Sequence, residues 1–177
     1  MEVFQGRPAD VTGRLEKEIA VYDLLDQLDI PFRRVDHDHA DTMEMCQEID
    51  QALGQDICKN LFLCNRQKTK FYLLLMPGSK PFKTKDLSAQ IGSSRLSFGG
   101  PEDMERLLHL TPGSVTVLGL MYDPDCQVTL LIDQDLYQQT AFDCHPCINT
   151  STVQFSTADL REKLLPALGH PVTLVQL

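Results

Sequence analysis

The chain has 177 residues, of which 42% are hydrophobic and 23% charged, a composition typical of a globular protein with one sizeable core. No apolar run approaches the ~20 residues that a membrane-spanning helix needs, and the first residues lack the pattern of a secretory signal. The formal net charge of −9 argues against general binding to nucleic acid. We therefore expect a single domain over residues 1–177 in the cytoplasm, with no membrane or DNA partner.

Hydrophobic periodicity and capping residues predict an irregular mixture of helices and strands. In chain order these are a helix over 14–28, a strand over 31–37, a helix over 42–53, strands over 59–65 and 70–77, helices over 84–92 and 101–110, strands over 114–120, 127–133 and 151–155, a helix over 156–168 and a strand over 171–177. Thr42 and Gly54 suit the N-cap and the terminator of the second helix. Because strands and helices do not alternate regularly, the pattern predicts an α+β fold, with helices packed on a mixed and curled sheet.

Basic residues are concentrated in one segment of this acidic chain. Residues 59–95 carry eight Lys or Arg against Asp86 alone, whereas 1–58 and 96–177 have net charges of −9 and −7. The same segment holds the two apolar runs predicted to form a β-hairpin. Such a stripe can attract a polyanion locally while the remaining surface repels it, although a solvated, lysine-rich hairpin would look the same.

The sequence "FDCHPCINTSTVQF" (142–155) allows three interpretations. A structural zinc site needs four ligands, and Cys144 and Cys147 have no second CxxC pair; His37 and His39 are the other available ligands. A redox site needs a helix after the CxxC motif to lower the thiol pKa, whereas a β-branched run follows. In the third, Pro146 stiffens the loop and holds His145 extended over a pocket beside Asn149. A histidine satisfied within its own loop remains the alternative to this third interpretation. The other four cysteines are expected to pack as small apolar side chains.

Lys59 begins an otherwise apolar strand, in "CKNLFLCN". A lysine at the mouth of a buried strand is either a snorkelling edge residue or a positioned cation. Asn60, next to it, must face the other side of the strand. No glycine-rich phosphate loop occurs in the chain, which disfavours an enzyme with a nucleotide cofactor.

Three blocks together resemble a known family. These are "KNLFL" (59–63), "RLSFGGPEDMERLLHLTPGSVTVLGL" (95–120) and "HPCINTSTVQFSTADL" (145–160), in the order and spacing of the free-standing prolyl-tRNA editing proteins, the YbaK/ProX-type aminoacyl-tRNA deacylases. The resemblance covers essentially the whole chain. It implies one α+β domain with a mixed, partly barrel-like sheet flanked by helices. It also implies hydrolysis of mischarged tRNA(Pro), most of all Ala-tRNA(Pro), by a positioned water without a metal, a cofactor or a covalent nucleophile.

The resemblance also assigns site residues. Lys59 matches the family's essential lysine, which would hold the terminal adenosine or its ester near a bound water. His145 matches the loop histidine beside the amino-acid pocket, and Pro146 and Asn149 belong to the same loop. Cys147 stands where the family usually has a leucine-like residue, and Cys144 also replaces a residue of another type, so amino-acid specificity is open.

Three further residues are expected on the RNA side of the site. The resemblance implies that Asn60 and Arg95 contact the end of the acceptor stem, and Ser114 lies in another family loop near the pocket. The partners implied are the acceptor end of mischarged tRNA(Pro) and, from the family's association, prolyl-tRNA synthetase. The alternatives are a non-catalytic tRNA-binding partner of that synthetase and a zinc or thiol protein.

Overall fold

The computed structural model describes residues 1–177, whose strands form two sheets. The first sheet is antiparallel, with strand order β1 (Phe4–Gln5), β2 (Arg33–Asp36), β8 (Ser151–Ser156) and β7 (Ala141–Cys144). The second is mixed, with order β5 (Ser97–Phe98), β3 (Lys59–Cys64), β4 (Phe71–Met76), β6 (Val128–Asp133) and β9 (Val172–Val175). The predicted α+β class is confirmed. The strands divide between two sheets, which do not close into one barrel.

Helices connect and flank these strands. They are α1 (Glu16–Gln27), α2 (Met43–Leu53), α3 (Thr84–Ile91), α4 (Pro101–Leu108), α5 (Gln134–Tyr137), α6 (Thr157–Asp159) and α7 (Leu165–Leu168), with a 3₁₀ helix at Val117–Tyr122 and a π turn at Leu160–Leu164 between α6 and α7. The Thr42 hydroxyl caps α2 by accepting from the Met45 N–H at 3.2 Å, and Gly54 ends this helix at φ +79°, as predicted. No helix has the length and apolar character needed to span a membrane.

The predicted strand over 114–120 is wrong, because most of this segment forms the 3₁₀ helix. Val117, Leu118 and Leu120 are fully buried, and a short apolar run of this kind fits a buried helix as well as a buried strand. In the structure this run forms a helix. The Thr116 hydroxyl caps its first turn by accepting from the Leu118 N–H at 3.3 Å.

The hairpin was predicted correctly, but two other pairings were not anticipated. β3 and β4 pair antiparallel from Lys59↔Met76 to Cys64↔Phe71. β6 and β9 then add to β4 in parallel, because the segments before them cross over the sheet. β7 was not predicted from the sequence.

The alternation of side chains along β3 defines two faces of the second sheet. Cys58, Phe62 and Cys64 belong to the main core, a cluster of 30 buried residues under α1, α4 and the 3₁₀ helix. Leu61 and Leu63 face the smaller core under α3. Asn60 and Lys59 consequently project to opposite faces at the start of this strand.

Candidate functional site

A small cavity lies where the start of β3 meets the end of β7. Its volume is about 210 Å³. Loops from three other parts of the chain complete its wall, so the cavity depends on the tertiary fold. Its lining residues are Ala40, Cys46, Ile57, Cys58, Asn60, Gly113, Val115, Cys144 and His145. The structure thus brings together two of the residues assigned from the sequence, Asn60 and His145.

Asn60 contributes an unsatisfied acceptor to this cavity. Its side-chain Nδ2 donates to the Cys58 carbonyl oxygen at 3.3 Å, while Oδ1 is buried and has no hydrogen-bond partner. Leaving a buried polar atom without a partner costs about 1–3 kcal/mol. Because Oδ1 itself is closed to a water molecule, a ligand that carries a hydrogen-bond donor reaches it only when the Asn60 side chain turns toward the cavity.

His145 contributes a second acceptor, because its tautomer is set by a backbone carbonyl. Nδ1 lies 2.8 Å from the Ser151 carbonyl oxygen, which can only accept, so Nδ1 carries the proton. Nε2 therefore has a free lone pair in the neutral ring. Burial lowers the pKa of His145 below its ordinary value of 6.5, and the neighbouring His37 lowers it further. The ring is neutral at pH 7 and accepts a hydrogen bond through Nε2.

His37 supports His145 from the neighbouring strand. The two ring centroids are 6.0 Å apart. His37 Nδ1 donates to the Asp38 carbonyl oxygen at 2.7 Å, so its Nε2 accepts from the Thr152 hydroxyl at 2.9 Å. The Thr152 oxygen also lies 3.4 Å from His145 Nδ1. The two imidazoles are thereby linked through one hydroxyl, and both are held in the tautomer that is protonated at Nδ1.

Asn149 joins three loops at the edge of the cavity. Its Oδ1 accepts from the Ala40 N–H at 3.1 Å, and its Nδ2 donates to Asp41 Oδ1 at 3.0 Å. Gly113 packs against the same amide at φ +90°, and a Cβ there would lie 3.0 Å from Asn149 Nδ2. We call Asn149, Asp41 and Gly113 the loop clamp. Asn149 therefore positions the cavity wall without lining it, and the buried Pro146 stiffens the same loop.

Three assigned residues do not line the cavity. Lys59 is half-buried on the opposite face of β3, where its ammonium donates to the Lys80 carbonyl oxygen. The Ser114 hydroxyl donates to the Thr111 carbonyl oxygen at 2.8 Å and closes its own turn, while its neighbours Gly113 and Val115 line the cavity. Arg95 is exposed and lines a separate polar recess beside α3.

The two cysteines of "CHPC", Cys144 and Cys147, are buried in the main core. All six cysteines of the chain are free. Burial raises the pKa of the Cys147 thiol to about 12 and also raises that of Cys144. Cys58, across the cavity, is raised to about 12 for the same reason. These thiols are protonated at neutral pH and are poor nucleophiles. No group of three or more His, Cys, Asp or Glu side chains has a metal-binding arrangement.

The sequence missed several parts of the cavity. The predicted burial of Cys58 as a small apolar side chain is confirmed, but its place in the cavity wall was not predicted, and His37 was considered as a zinc ligand. The cross-strand neighbours of His37 explain the difference, since His37 and Thr152 come together only when β2 pairs with β8. The alternation of side chains in "CKN" could have indicated the cavity wall. It places Cys58 and Asn60 on one face of the strand and Lys59 on the other.

Comparisons with known proteins point to one family. The family model of the aminoacyl-tRNA editing domain matches residues 37–163. The chain is 31% identical over 163 residues to the prolyl-tRNA editing protein ProX of Acetoanaerobium sticklandii, covering 92% of this chain and 99% of that protein. It is 28% identical over 169 residues to prolyl-tRNA synthetase associated domain-containing protein 1 of Danio rerio, covering 94% of this chain and 88% of that protein.

Solved structures share the fold at lower sequence identity. One is a protein provisionally assigned as a trans-editing enzyme for prolyl tRNA synthetase, with a TM-score of 0.65, 17% identity and coverage of 92% of this chain and 98% of that one. Another is the hypothetical protein APE2540, with a TM-score of 0.63, 16% identity and coverage of 88% and 96%. At these identities the structures support the fold alone.

Proposed function

The chain belongs to the family of aminoacyl-tRNA editing domains, and from this membership we propose that it hydrolyses mischarged tRNA(Pro), principally Ala-tRNA(Pro). The family match spans residues 37–163, which include the whole cavity wall. The name of the ProX relative, a prolyl-tRNA editing protein, supports tRNA(Pro) as the substrate class. The preference for alanine is proposed from the family resemblance, and the cavity is compatible with it as follows.

The polar groups of the cavity suit the free amino group of an aminoacyl ester. His145 Nε2 is an acceptor without a protein partner, and Asn60 Oδ1 becomes a second one when its side chain turns toward the ester. A protonated α-amino group offers several N–H donors, so it can satisfy both acceptors at once. Hydrogen bonds to a charged group are each worth about 1.5–3 kcal/mol, enough to orient the ester.

The apolar wall suits a small side chain. The cavity volume of about 210 Å³ is smaller than pockets for drug-sized ligands, which begin near 300 Å³. Ile57, Val115 and the thiols of Cys58 and Cys144 surround the remaining space. A methyl group fits beside them; the volume alone also accommodates the two additional carbons of proline, so the proposed preference for alanine rests on the family resemblance. A synthetase excludes a smaller amino acid poorly, and a second site that admits only the smaller one corrects this error.

We propose that hydrolysis uses a positioned water. The water oxygen attacks the ester carbonyl carbon, the bond to the ribose oxygen breaks, and that oxygen takes the proton, giving free amino acid and tRNA. The raised pKa values of Cys58 and Cys144 argue against a thiolate nucleophile. Asn60 and His145 contribute by holding the ester in one orientation. Neither role requires a metal or a cofactor.

Lys59 and Arg95 act on the RNA in this proposal. The Lys59 ammonium has three N–H donors, and its one protein partner is the Lys80 carbonyl oxygen. Lys59 therefore retains donors for a ribose or phosphate oxygen of the terminal adenosine. Arg95 is exposed and available to a phosphate of the acceptor end. Since Lys59 faces away from the cavity, we propose that it binds the RNA, in place of the catalytic role that the resemblance implies, and that Asn149, Ser114 and Pro146 position the loops.

The observation that carries the proposal is a small cavity in an editing-family chain, lined by Asn60 and by a neutral His145 whose Nε2 has no protein partner. The test is a deacylation panel with the purified protein on Ala-, Ser-, Gly- and Pro-tRNA(Pro). We expect Ala-tRNA(Pro) to be hydrolysed and Pro-tRNA(Pro) to be spared. No hydrolysis of any mischarged tRNA(Pro) would refute the proposal. Tight binding without turnover would instead identify a non-catalytic tRNA-binding partner of prolyl-tRNA synthetase.

A further inference from the structure

The face of β3 opposite the cavity carries an exposed aromatic side chain. Phe98 of β5 lies directly across from Leu63 of β3, and directly paired residues project to the same face. Leu63 faces the smaller core, as do Leu61 and, at the start of the strand, Lys59. Phe98 and Lys59 therefore lie on one face of the sheet.

Phe98 stands out among the aromatic residues of the chain. It is 61% exposed, whereas the other seven phenylalanines and all four tyrosines are at least partly buried. Phe82 supports it from the loop before α3, with ring centroids 6.2 Å apart in an edge-to-face arrangement. This contact holds the Phe98 ring in place and leaves most of its surface to solvent. A supported aromatic ring with a free surface suits the stacking of a planar partner.

Each of the two chain segments that supply Phe82 and Phe98 also carries a basic residue. Lys85 follows Phe82, and Arg95 precedes Phe98. Thr84, Lys85, Ser88 and Arg95 line a recess of about 450 Å³ that has no apolar residue. Lys85 and Arg95 are both exposed, and Asp86 is the one acidic residue within 59–95. The recess and the aromatic pair share the segments 82–88 and 95–98. Positive charge beside a stacking surface complements single-stranded nucleic acid, in which phosphates alternate with planar bases.

The surface also lies within reach of the cavity. Phe98 pairs with a residue three positions along β3 from Asn60, an offset of about 10 Å along the strand, and the path between them also crosses from one face of the sheet to the other at its β5 edge. A few unpaired nucleotides span such a distance. A chain end whose ester occupies the cavity can therefore pass the edge of β3 and reach Phe98.

We propose that Phe98, supported by Phe82, is a stacking platform for an unpaired base near the 3′ end of the bound RNA, and that Lys85 and Arg95 hold an adjacent phosphate. This inference rests on the proposed tRNA substrate but concerns binding alone. It assigns the basic segment a defined contact in addition to general attraction of phosphates.

The test measures binding of uncharged RNA, so it does not depend on hydrolysis. The probe is a fluorescent minihelix with the tRNA(Pro) acceptor stem and its single-stranded 3′ end. We expect Phe98→Ala to weaken binding about 5- to 100-fold, the range for loss of one base–aromatic stack. Phe98→Tyr keeps the ring and should bind within about twofold of wild type. Leu174→Ala, at an exposed residue of β9 on the other edge of the sheet, is the matched control and should leave binding unchanged.

A second RNA distinguishes stacking from a general effect. With a blunt-ended minihelix, wild type and Phe98→Ala should bind equally, since no unpaired base remains to stack. Arg95→Gln should reduce the slope of log K against log salt by about one, as expected for one phosphate contact. Equal binding of the tailed RNA by wild type and Phe98→Ala would overturn the proposal. So would an equal loss on both RNAs, or a loss of binding to prolyl-tRNA synthetase with RNA binding intact.

Binding and editing can fail separately. If the tailed RNA shows the Phe98 effect but no mischarged tRNA is hydrolysed, the platform stands and the proposed hydrolysis falls. If Ala-tRNA(Pro) is hydrolysed but Phe98→Ala binds RNA normally, the hydrolysis stands and the platform falls.

Discussion

At the scale of single residues, the site depends on two acceptors that sequence reasoning located only in part. The resemblance assigned both Asn60 and His145, but it placed Asn60 at the end of the acceptor stem, whereas the structure places it in the cavity wall with His145. The protonation state of His145 was not predictable, since it depends on the Ser151 carbonyl and on His37 across β2 and β8. Lys59 was identified by type, but only the fold shows that it faces away from the cavity.

The pH dependence of editing tests the neutral state of His145. Activity requires the free Nε2 lone pair, and burial and His37 both lower the pKa of this ring below 6.5. We therefore expect kcat/KM for Ala-tRNA(Pro) to fall with decreasing pH, with a midpoint below 6.5. His37→Gln should move this midpoint upward, because it removes a neighbouring group that disfavours the imidazolium.

The matched control is His39→Gln, at an exposed position two residues along the same segment. It should leave the midpoint where wild type has it. A wild-type midpoint at or above 6.5, or equal shifts in the two variants, would contradict the assigned role of His145.

At the scale of elements, the sequence predicted structures that depend on neighbouring residues. It missed structures that depend on pairing between distant segments. The β3–β4 hairpin and the Thr42 cap follow from neighbouring residues and are confirmed. β7 was missed because it has only four residues and is defined by its pairing with β8, a partner that follows after the loop 145–150. The segment 114–120 was assigned to a strand because a short apolar, β-branched run is typical of one. In the structure, the Thr116 hydroxyl caps a 3₁₀ helix there by accepting from the Leu118 N–H.

The loop clamp gives a prediction at this scale. Gly113→Ala should destabilise the fold by about 1 kcal/mol, because an L-residue is disfavoured at positive φ. It should also lower kcat/KM about tenfold, because the new Cβ would lie 3.0 Å from Asn149 Nδ2 and displace the amide that joins the loops. Thermal unfolding and deacylation of Ala-tRNA(Pro) measure the two effects.

Gly169→Ala is the control for backbone strain. Gly169 has φ +74°, and a Cβ there meets no atom within 4 Å. The two variants should lose similar stability, and only Gly113→Ala should lose activity. Similar activities of the two would show that the clamp does not position the cavity.

At the scale of the whole molecule, one buried carboxyl couples stability to pH. Asp143 is fully buried, and neither of its carboxyl oxygens has a hydrogen-bond partner. The neighbouring Gln154 and Gln55 donate instead to the carbonyl oxygens of Leu53 and Ala141. Burial raises the pKa of Asp143 to about 7, with Asp50 adding to the shift and Gln154, Arg33 and Gln55 opposing it.

The sign of this coupling follows from the raised pKa. Between the ordinary pKa of 3.8 and about 7 the native state holds a proton that the unfolded state has lost. The contribution to stability therefore decreases as pH rises through this range and is lost above it. Asp143→Asn should be nearly neutral at pH 5 and should stabilise the protein by about 1–3 kcal/mol at pH 8, the cost of an uncompensated buried polar group.

Urea unfolding at pH 5 and pH 8 measures this difference. The exposed Asp125→Asn is the matched control and should show no change between the two pH values. Equal effects of Asp143→Asn at both pH values would mean that the carboxyl is ionised, or partnered, throughout this range.

The most direct test of the proposed site is single-turnover deacylation of Ala-tRNA(Pro) by wild type and by Asn60→Leu. The substitution removes the unpartnered acceptor and keeps a side chain of similar size. We expect the rate to fall about 10- to 100-fold, the loss of one hydrogen bond to a charged group. The melting temperature should stay the same or rise, since a buried unsatisfied oxygen is removed. Hydrolysis by Asn60→Leu at the wild-type rate would contradict the assignment of this cavity as the editing site.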